Sequence, residues 1–233
     1  MNQGYDPESF GVSRDSIASY TAKTFGWMFL GLVVTFAASL ALYYTGAIYS
    51  VFLGLNGMLP FVLVITELIV VVYLSARIQK LSITAARGLF FLYALLNAVT
   101  FSSIFIMYQV SSLVFVFGMT AVYFGVMALY GYVTKADLSR IRPVLLFGLI
   151  ALLVLAILSI FISGLDTGLC LVGVVIFIAF TAYDTQMIRR NYAYFQGNAE
   201  LLQKASIISA LQLYLDFINL FLYLLRLFGN RRN

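Results

Sequence analysis

The feature that most constrains the fold is a succession of seven apolar runs, each about 20 residues long and separated by short polar connections. A run of that length spans the hydrocarbon core of a bilayer as one α-helix. Hydrophobic residues make up 63% of the 233 residues and charged residues only 10%, unlike the composition of soluble domains. The sequence therefore predicts an all-α, polytopic membrane protein built as a seven-transmembrane-helix bundle. The predicted spans cover residues 24–45, 58–77, 88–109, 111–133, 143–163, 168–189 and 206–228.

The spans leave room for a single domain. We expect a short cytoplasmic N-terminal tail at 1–22, one transmembrane domain at 23–229 and a C-terminal tail at 230–233. The N-terminal tail is polar and of mixed charge, and it lacks the apolar centre of a cleavable signal peptide. The first span is therefore expected to act as the insertion signal.

The charges between the spans predict the orientation in the membrane. Lys and Arg flank the first span and occupy the connections after the second, fourth and sixth spans, whereas the alternate connections contain neither. The excess of positive charge predicts that the N-terminus is cytoplasmic. Arg226, Arg231 and Arg232 fit this pattern poorly, so the last segment either crosses the membrane or re-enters and returns. Crossing is favoured, because residues 206–228 contain no Gly or Pro that would turn the chain.

The residue types exclude several classes of function. The chain has no His, which excludes imidazole metal sites and Ser-His-Asp triads. Its single cysteine, Cys170, cannot form an intrachain disulfide. Residues 205–228 contain no Lys, which excludes a retinal Schiff base on the last helix. The net charge of +5 comes from short clusters between apolar runs, so it indicates membrane topology and not nucleic-acid binding.

Two carboxylates in the last third of the chain are the strongest functional signal. Asp184 lies near the end of the sixth span and Asp216 lies inside the seventh. Charged groups are expensive in hydrocarbon and mark functional sites there. Antiparallel packing brings the two residues to a similar depth, in the cytoplasmic half. Two carboxylates in contact cannot both ionise at low cost, so we expect them to share one proton.

The seventh span also carries a polar stripe at spacings of three and four residues. Such a stripe cannot face lipid, so we expect it to face other helices or water, with this last helix at the centre of the bundle. Interhelical hydrogen bonding is a sufficient explanation for its amides and hydroxyl, but not for Asp216. The stripe consists of Ser209, Gln212, Asp216, Asn219, Tyr223 and Arg226.

Earlier spans supply possible partners for the pair. Glu67 lies in the second span, and Arg77 follows ten residues later, about 15 Å closer to the cytoplasm. Tyr93, Asn97 and Thr100 form a second polar row on the third span. Arg77 could compete with the shared proton for one aspartate, which would make the site a pH-dependent switch. The alternative is that Arg77 only anchors the helix at the membrane surface.

Carboxylate and amide oxygens are the ligands that calcium prefers. We expect Asp184 and Asp216 to bind calcium transiently, with pore or supporting roles for Glu67, Gln212, Asn219 and Asn97. Such a site would be weak and partly hydrated, which suits transit better than storage. The same acids could instead relay protons.

Four segments together resemble the Bax inhibitor-1 family, also called the transmembrane Bax inhibitor motif family. They are Leu-Ser-Ala-Arg at 74–77, the third-span run at 89–108, Tyr-Asp-Thr-Gln at 183–186 and Ala-Leu-Gln-Leu-Tyr-Leu-Asp-Phe-Ile-Asn at 210–219. The resemblance covers nearly all of the chain beyond the N-terminal tail. The third and fourth segments are the most specific.

This resemblance implies a seven-helix bundle with the last helix central and a pH-sensitive calcium leak across the membrane. It also implies a di-aspartyl pH sensor at Asp184 and Asp216, with Arg77 matching an arginine on the second helix. Eukaryotic members suppress cell death in endomembranes, whereas bacterial members lie in the plasma membrane and some modulate a membrane-bound protease. The chain lacks the lysine-rich C-terminal tail of many eukaryotic members, which favours a bacterial plasma membrane.

The expected function is a calcium leak channel that has no cofactor and no enzymatic activity. Two other functions remain as alternatives. The first is a non-conducting regulator that binds another membrane protein, for example a membrane protease. The second is an intramembrane aspartyl hydrolase, which also pairs two acids. The familiar enzymes of that class carry Gly-x-Gly-Asp, whereas Thr-Ala-Tyr precedes Asp184 here. Besides the lipid bilayer, the expected partners are therefore calcium ions, protons and, in the regulator alternative, a second membrane protein.

Overall fold

The computed structural model of the chain describes residues 16–53, 58–159, 161–162 and 164–232. Most of the predicted N-terminal tail, part of the connection before the second span, and the last residue of the predicted C-terminal tail lie outside these residues. The described residues are almost entirely helical, apart from turns and an isolated antiparallel bridge between Tyr108 and Arg231.

Eight α-helices and one short 3₁₀ helix, at Leu138–Ile141, follow each other in the described residues. The α-helices are α1 (Ile17–Tyr44), α2 (Ala47–Leu53), α3 (Leu59–Arg77), α4 (Ile83–Met107), α5 (Val110–Val133), α6 (Arg142–Leu158), α7 (Asp166–Phe195) and α8 (Ala199–Phe228).

Each predicted span corresponds to one long helix, and the protein is an all-α polytopic membrane protein. Within the described residues, six helices are long and apolar enough to cross a bilayer: α1, α4, α5, α6 with its preceding 3₁₀ turn, α7 and α8. The second predicted span coincides with α3, a helix of 19 residues. The total of seven crossings stays a prediction.

Several helices extend well beyond the predicted apolar runs. α1 begins at Ile17 instead of residue 24, and α8 begins at Ala199 instead of residue 206. Polar caps explain both starts: the Ser16 side chain accepts a hydrogen bond from Ser19 N, and Asn198 does the same for Leu201 N. Hydropathy detects the apolar part of a helix but not the polar turns that continue it. It also does not predict the short helix α2.

α8 is the central helix of the bundle, as the sequence predicts. It packs against α1, α4, α5 and α7, whereas α3 packs on α4 and α6 packs on α7. In the most apolar window of α8, 67% of the residues are buried, compared with 11% for the span that contains α6. A helix buried on most of its circumference is surrounded by other helices and not by lipid.

One side of α8 forms an aromatic core with α1, α4 and α5. Phe221 stacks on Phe101 with 5.9 Å between ring centroids, and Phe36 meets Phe117 edge to face at 5.0 Å. Close by, the hydroxyls of Thr35 and Tyr214 hydrogen-bond at 2.7 Å, and Thr35 also donates to the carbonyl of Ala94 on α4. Small and polar residues let membrane helices approach closely, and these contacts fix α8 against α1 and α4.

The C-terminal end of α8 lies beside the turn between α4 and α5. Gln109 N donates to the carbonyl of Asn230, and Arg232 N donates to the carbonyl of Met107. Because α8 is continuous over 30 residues, it traverses the bundle instead of turning back. Of the two alternatives for the last segment, the structure supports crossing.

At its other end, α8 holds the connection between α3 and α4. The ammonium group of Lys204 is almost fully buried, donates to the carbonyl of Gln79 at 3.1 Å and pairs with Glu200 one turn earlier. The connection therefore takes its position from the central helix.

Candidate functional site

The carboxyl groups of Asp184 and Asp216 meet between α7 and α8. The two side chains interact with each other, and the residues are only 5% and 4% exposed. A carboxylate can only accept hydrogen bonds, so a hydrogen bond between them requires a proton on one of the two groups. Oδ2 of Asp216 has no partner among the described residues. A second negative charge here would be buried and unpaired.

The pair borders a partly open cavity of about 690 Å³ lined by residues of α3, α4, α6, α7 and α8, which we call the central cavity. Its wall is mainly apolar, with a band of polar side chains that runs along α8. The polar and charged residues that line it are Glu67, Tyr93, Arg142, Tyr183, Asp184, Asn191, Gln212, Asp216 and Asn219.

Three of the four supporting residues proposed from the sequence line the central cavity: Glu67, Gln212 and Asn219. Glu67 accepts a hydrogen bond from the Thr100 hydroxyl at 2.9 Å, which ties α3 to α4. The fourth, Asn97, is buried in α4 and donates to the carbonyl of Tyr93, one turn earlier, without lining the cavity.

The arginine at the cavity is Arg142, and not Arg77. Arg77 ends α3 on an exposed surface with Val72 and Tyr73, away from the cavity lining. Arg142 begins α6, lines the cavity and interacts electrostatically with Asp184. The structure thus places Asp184, Asp216 and Glu67 around one cavity. The arginine that lines this cavity is Arg142 instead of the predicted Arg77.

The position of Arg142 depends on how α7 holds the connection between α5 and α6. The amide of Gln186 donates to the carbonyl of Ala136 at 2.7 Å and accepts from Leu138 N at 3.0 Å. One turn later, Arg190 pairs with Asp137. The Tyr-Asp-Thr-Gln segment therefore supplies a carboxyl of the pair and also fixes the loop that leads to Arg142.

The loop carboxylate stays charged over the physiological range. Hydrogen bonds from Ser139 and Arg190 lower the pKa of Asp137 to about 2. Since the pKa is lowered by folding, the stabilisation is present above the unfolded value near 4 and is lost only as the pH falls towards 2. A conformational change between pH 5 and 8 would therefore not originate from this ion pair.

The polar stripe of α8 faces other helices and the cavity, as predicted. Ser209 accepts a hydrogen bond from Asn191 of α7 at 3.1 Å, and Asp216 meets Asp184 of the same helix. Gln212 and Asn219 line the cavity, whereas Arg226 at the end of the stripe is exposed.

An aromatic layer lies one helical turn beyond the cavity, on the side of the C-terminal end of α8. The ring of Tyr223 stacks on Phe177 with 5.9 Å between centroids. It also packs on Gly173, where an added Cβ would lie 2.7 Å from the ring. Because Phe177 also lines the cavity, this layer, which we call the Tyr223 layer, adjoins the cavity on that side.

Sequence reasoning missed Arg142 and the Tyr223 layer as parts of the site. The Arg-Pro pair at 142–143 indicates a helix start, and its charge was assigned to membrane topology. Nothing in the local sequence distinguishes Arg142 from the other loop arginines, because its position depends on Gln186, which is 44 residues away.

Comparison with known proteins agrees with this architecture. The family described as inhibitor of apoptosis-promoting Bax1 matches residues 17–233. The chain is 40% identical over 228 residues to the inner membrane protein YbhL of Escherichia coli K12, covering 97% of each chain. It is also 38% identical over 216 residues to an uncharacterized protein of Borreliella burgdorferi, covering 92% of this chain and 93% of the other. These matches confirm the resemblance inferred from the motifs, and the chain belongs to the Bax inhibitor-1 family.

Proposed function

We propose that the protein is a pH-sensitive calcium leak channel of the bacterial plasma membrane, gated by the proton shared between Asp184 and Asp216. The observation that carries the proposal is the buried contact between these carboxyls at the wall of the central cavity. A hydrogen bond across this contact requires a proton, so the contact is expected to respond directly to the proton concentration.

The proposed gate works through the interface between α7 and α8. With the proton present, the two carboxyls hold the helices together. Loss of the proton places two negative charges side by side in a medium of low dielectric constant, where they repel strongly. Arg142 then offers Asp184 an alternative partner at the cavity wall. In this proposal Asp184 alternates between two partners, Asp216 and Arg142, and two such arrangements are what a switch requires.

In this proposal a cation passes through the central cavity. Its α8 wall runs from Ile208 to Asn219, about 16 Å along the helix axis, and carries amide oxygens on either side of Asp216. Within the described residues, no three acidic or cysteine side chains cluster closely enough to hold a metal ion. A calcium ion at the pair would thus have two carboxylates and remain partly hydrated, which favours passage.

The first test is calcium flux into liposomes that contain the purified protein, measured from about pH 5 to 8 for wild type, Asp184→Asn and Asp216→Asn. An Asn amide donates to the remaining carboxylate at any pH, so each variant imitates the proton-sharing contact permanently. We expect both variants to lose the pH dependence and to keep the flux that the wild type has at its acidic limit.

Asp166→Asn is the matched control, because it removes one acidic charge from an exposed position in the first turn of the same helix. Its flux curve should superimpose on that of the wild type. No flux above empty liposomes at any pH would rule out a channel and favour the non-conducting regulator that binds another membrane protein. Persistent pH dependence in both Asn variants would remove the pair as the sensor.

A second prediction separates the two arginines. Replacing Arg142 by Gln removes a cation that favours the ionised carboxyl, so the midpoint of the flux curve should move to higher pH by about one unit. Arg77→Gln removes the same charge from the exposed end of α3 and should leave the midpoint unchanged. The opposite result would support the role that the family resemblance gives to Arg77.

The similarity to YbhL supports a bacterial plasma membrane as the location, since this relative in Escherichia coli is named an inner membrane protein. A cytoplasmic N-terminus agrees with the positions of Lys and Arg between the spans.

A further inference from the structure

A second pocket, which shares no lining residue with the central cavity, lies between the N-terminal parts of α1, α4 and α8. Its volume is about 480 Å³, within the range of small-ligand sites. We call it the basic pocket. It is lined by Tyr20, Lys23, Gly26, Trp27, Leu30, Arg87, Ala199, Leu202, Gln203 and Ser206.

The pocket contains polar hydrogen atoms without acceptors. Tyr20 is only 2% exposed, yet its hydroxyl has no hydrogen-bond partner among the described residues. Nε of Arg87, on α4, is also buried and has no hydrogen-bond partner among the described residues. Buried polar atoms are normally satisfied, and two unsatisfied groups around one pocket indicate that a ligand with acceptor atoms completes the site.

The electrostatics of the pocket favour an anion. Lys23 and Arg87 bring two positive charges, and none of the described residues that line the pocket is acidic. The nearby Glu200 is paired with Lys204. The positive ends of three helix dipoles, at α1, α4 and α8, add to the same potential.

Arg87 is already oriented for such a contact. Its guanidinium group lies 5.0 Å above the ring of Trp27, and its Nη2 donates to the side-chain oxygen of Gln203 at 3.1 Å. These two contacts hold the planar fork in place, which is the geometry that arginine uses to bind phosphate oxygens.

The pocket is also open towards the membrane. Gly26 and Leu30 are exposed on the face of α1 next to Trp27, and a Cβ added at Gly26 would meet no atom within 4 Å. An apolar chain could lie along this groove, with its phosphate between the two basic residues. Tryptophan and basic residues at a helix end are typical of contacts with lipid headgroups.

We propose that the basic pocket binds the phosphate group of an anionic phospholipid, with its acyl chain along Gly26 and Leu30. Arg87 and Lys23 bind the phosphate oxygens, and the Tyr20 hydroxyl donates a further hydrogen bond. The site is separate from the aspartate pair, and its occupancy does not depend on ion conduction.

The chain contains its own reporter for this site, because Trp27 is its only tryptophan. The purified full-length protein is reconstituted in phosphatidylcholine vesicles with a small fraction of phosphatidylglycerol, and one of the two lipids carries brominated acyl chains that quench tryptophan. We expect brominated phosphatidylglycerol to quench Trp27 more strongly than brominated phosphatidylcholine at equal mole fraction.

Arg87→Gln and Lys23→Gln should each reduce this preference about fivefold, the usual contribution of one basic residue at an anionic membrane. Lys80→Gln removes a charge from the exposed α3–α4 connection, outside the pocket, and is the control for general surface attraction. An equal loss of preference in Lys80→Gln would overturn the proposal.

Gly26→Leu tests the acyl groove without changing charge. It should abolish the preference, whereas Gly118→Leu on α5, where a Cβ also meets no atom within 4 Å, should leave it intact. Equal quenching by both lipids in the wild type would exclude a lipid site. Loss of the preference on adding inorganic phosphate would show that the pocket takes the free anion from solution, which would overturn the lipid assignment.

Discussion

Replacing Gly131 by alanine is expected to destabilise the folded protein by about 3 kcal/mol, at the upper end of the usual range for overpacking. Gly131 is buried in α5, which packs against α7. A Cβ at this position would lie 2.1 Å from the carbonyl oxygen of Ala182, and backbone atoms cannot rotate away as a side chain could. The two helices would have to separate next to the aspartate pair.

Thermal unfolding in detergent measures this effect, and Cys170 is a convenient probe. It is the only cysteine of the chain and is 2% exposed, so a thiol-reactive fluorophore reports the unfolded fraction. We expect the midpoint of Gly131→Ala to fall by about 10 °C. Gly125→Ala on the same helix meets no atom within 4 Å and should keep or raise the midpoint, because alanine favours helix. Equal midpoints for the two variants would contradict the close packing of α5 on α7.

Replacing Tyr223 by alanine is expected to increase calcium flux about fivefold at every pH, if the proposed channel conducts through the central cavity and past this layer. The ring packs on Gly173 and on Phe177, which lines the cavity, and an aromatic contact contributes roughly 1 kcal/mol beyond its buried area. Lowering a barrier by about that amount raises a rate about fivefold.

The shape of the flux curve distinguishes the Tyr223 layer from the aspartate pair. Because Asp184 and Asp216 are unchanged in Tyr223→Ala, the midpoint should stay at its wild-type pH. Tyr223→Phe keeps the ring and loses only the hydroxyl, so its flux should equal that of the wild type. An unchanged flux in Tyr223→Ala would mean that ions do not pass this layer.

The sequence predicts the helices well where burial in lipid determines them. Apolar runs locate α3 and α5 to within one residue at each end, because a hydrocarbon solvent leaves a chain no other way to satisfy its backbone hydrogen bonds. The extra turns of α1 and α8 depend on Ser16 and Asn198, whose capping roles operate outside the apolar runs.

The importance of Asp184 and Asp216 could also be anticipated. Both are acids inside apolar helices, and interhelical hydrogen bonding or membrane topology does not explain an acid at such a position. Arg142 could not, because its place at the cavity depends on a loop that Gln186 holds from a distant part of the chain. The basic pocket is assembled from three helices, and no single segment contains enough of it to be recognised. Local sequence patterns thus predict which residues are costly to bury. The partners of those residues depend on the tertiary structure and are not visible in the local sequence.

The central position of α8 has a consequence for how the protein is made. Among the described helices, α8 is the last to leave the ribosome, although α1, α4, α5 and α7 all pack around it. Until it inserts, the earlier helices lack the surface that their inner faces bury, and Asp184 lacks its contact with Asp216. Assembly of this bundle is therefore expected to finish in one late step, with the half-built intermediate open to recognition by membrane quality control.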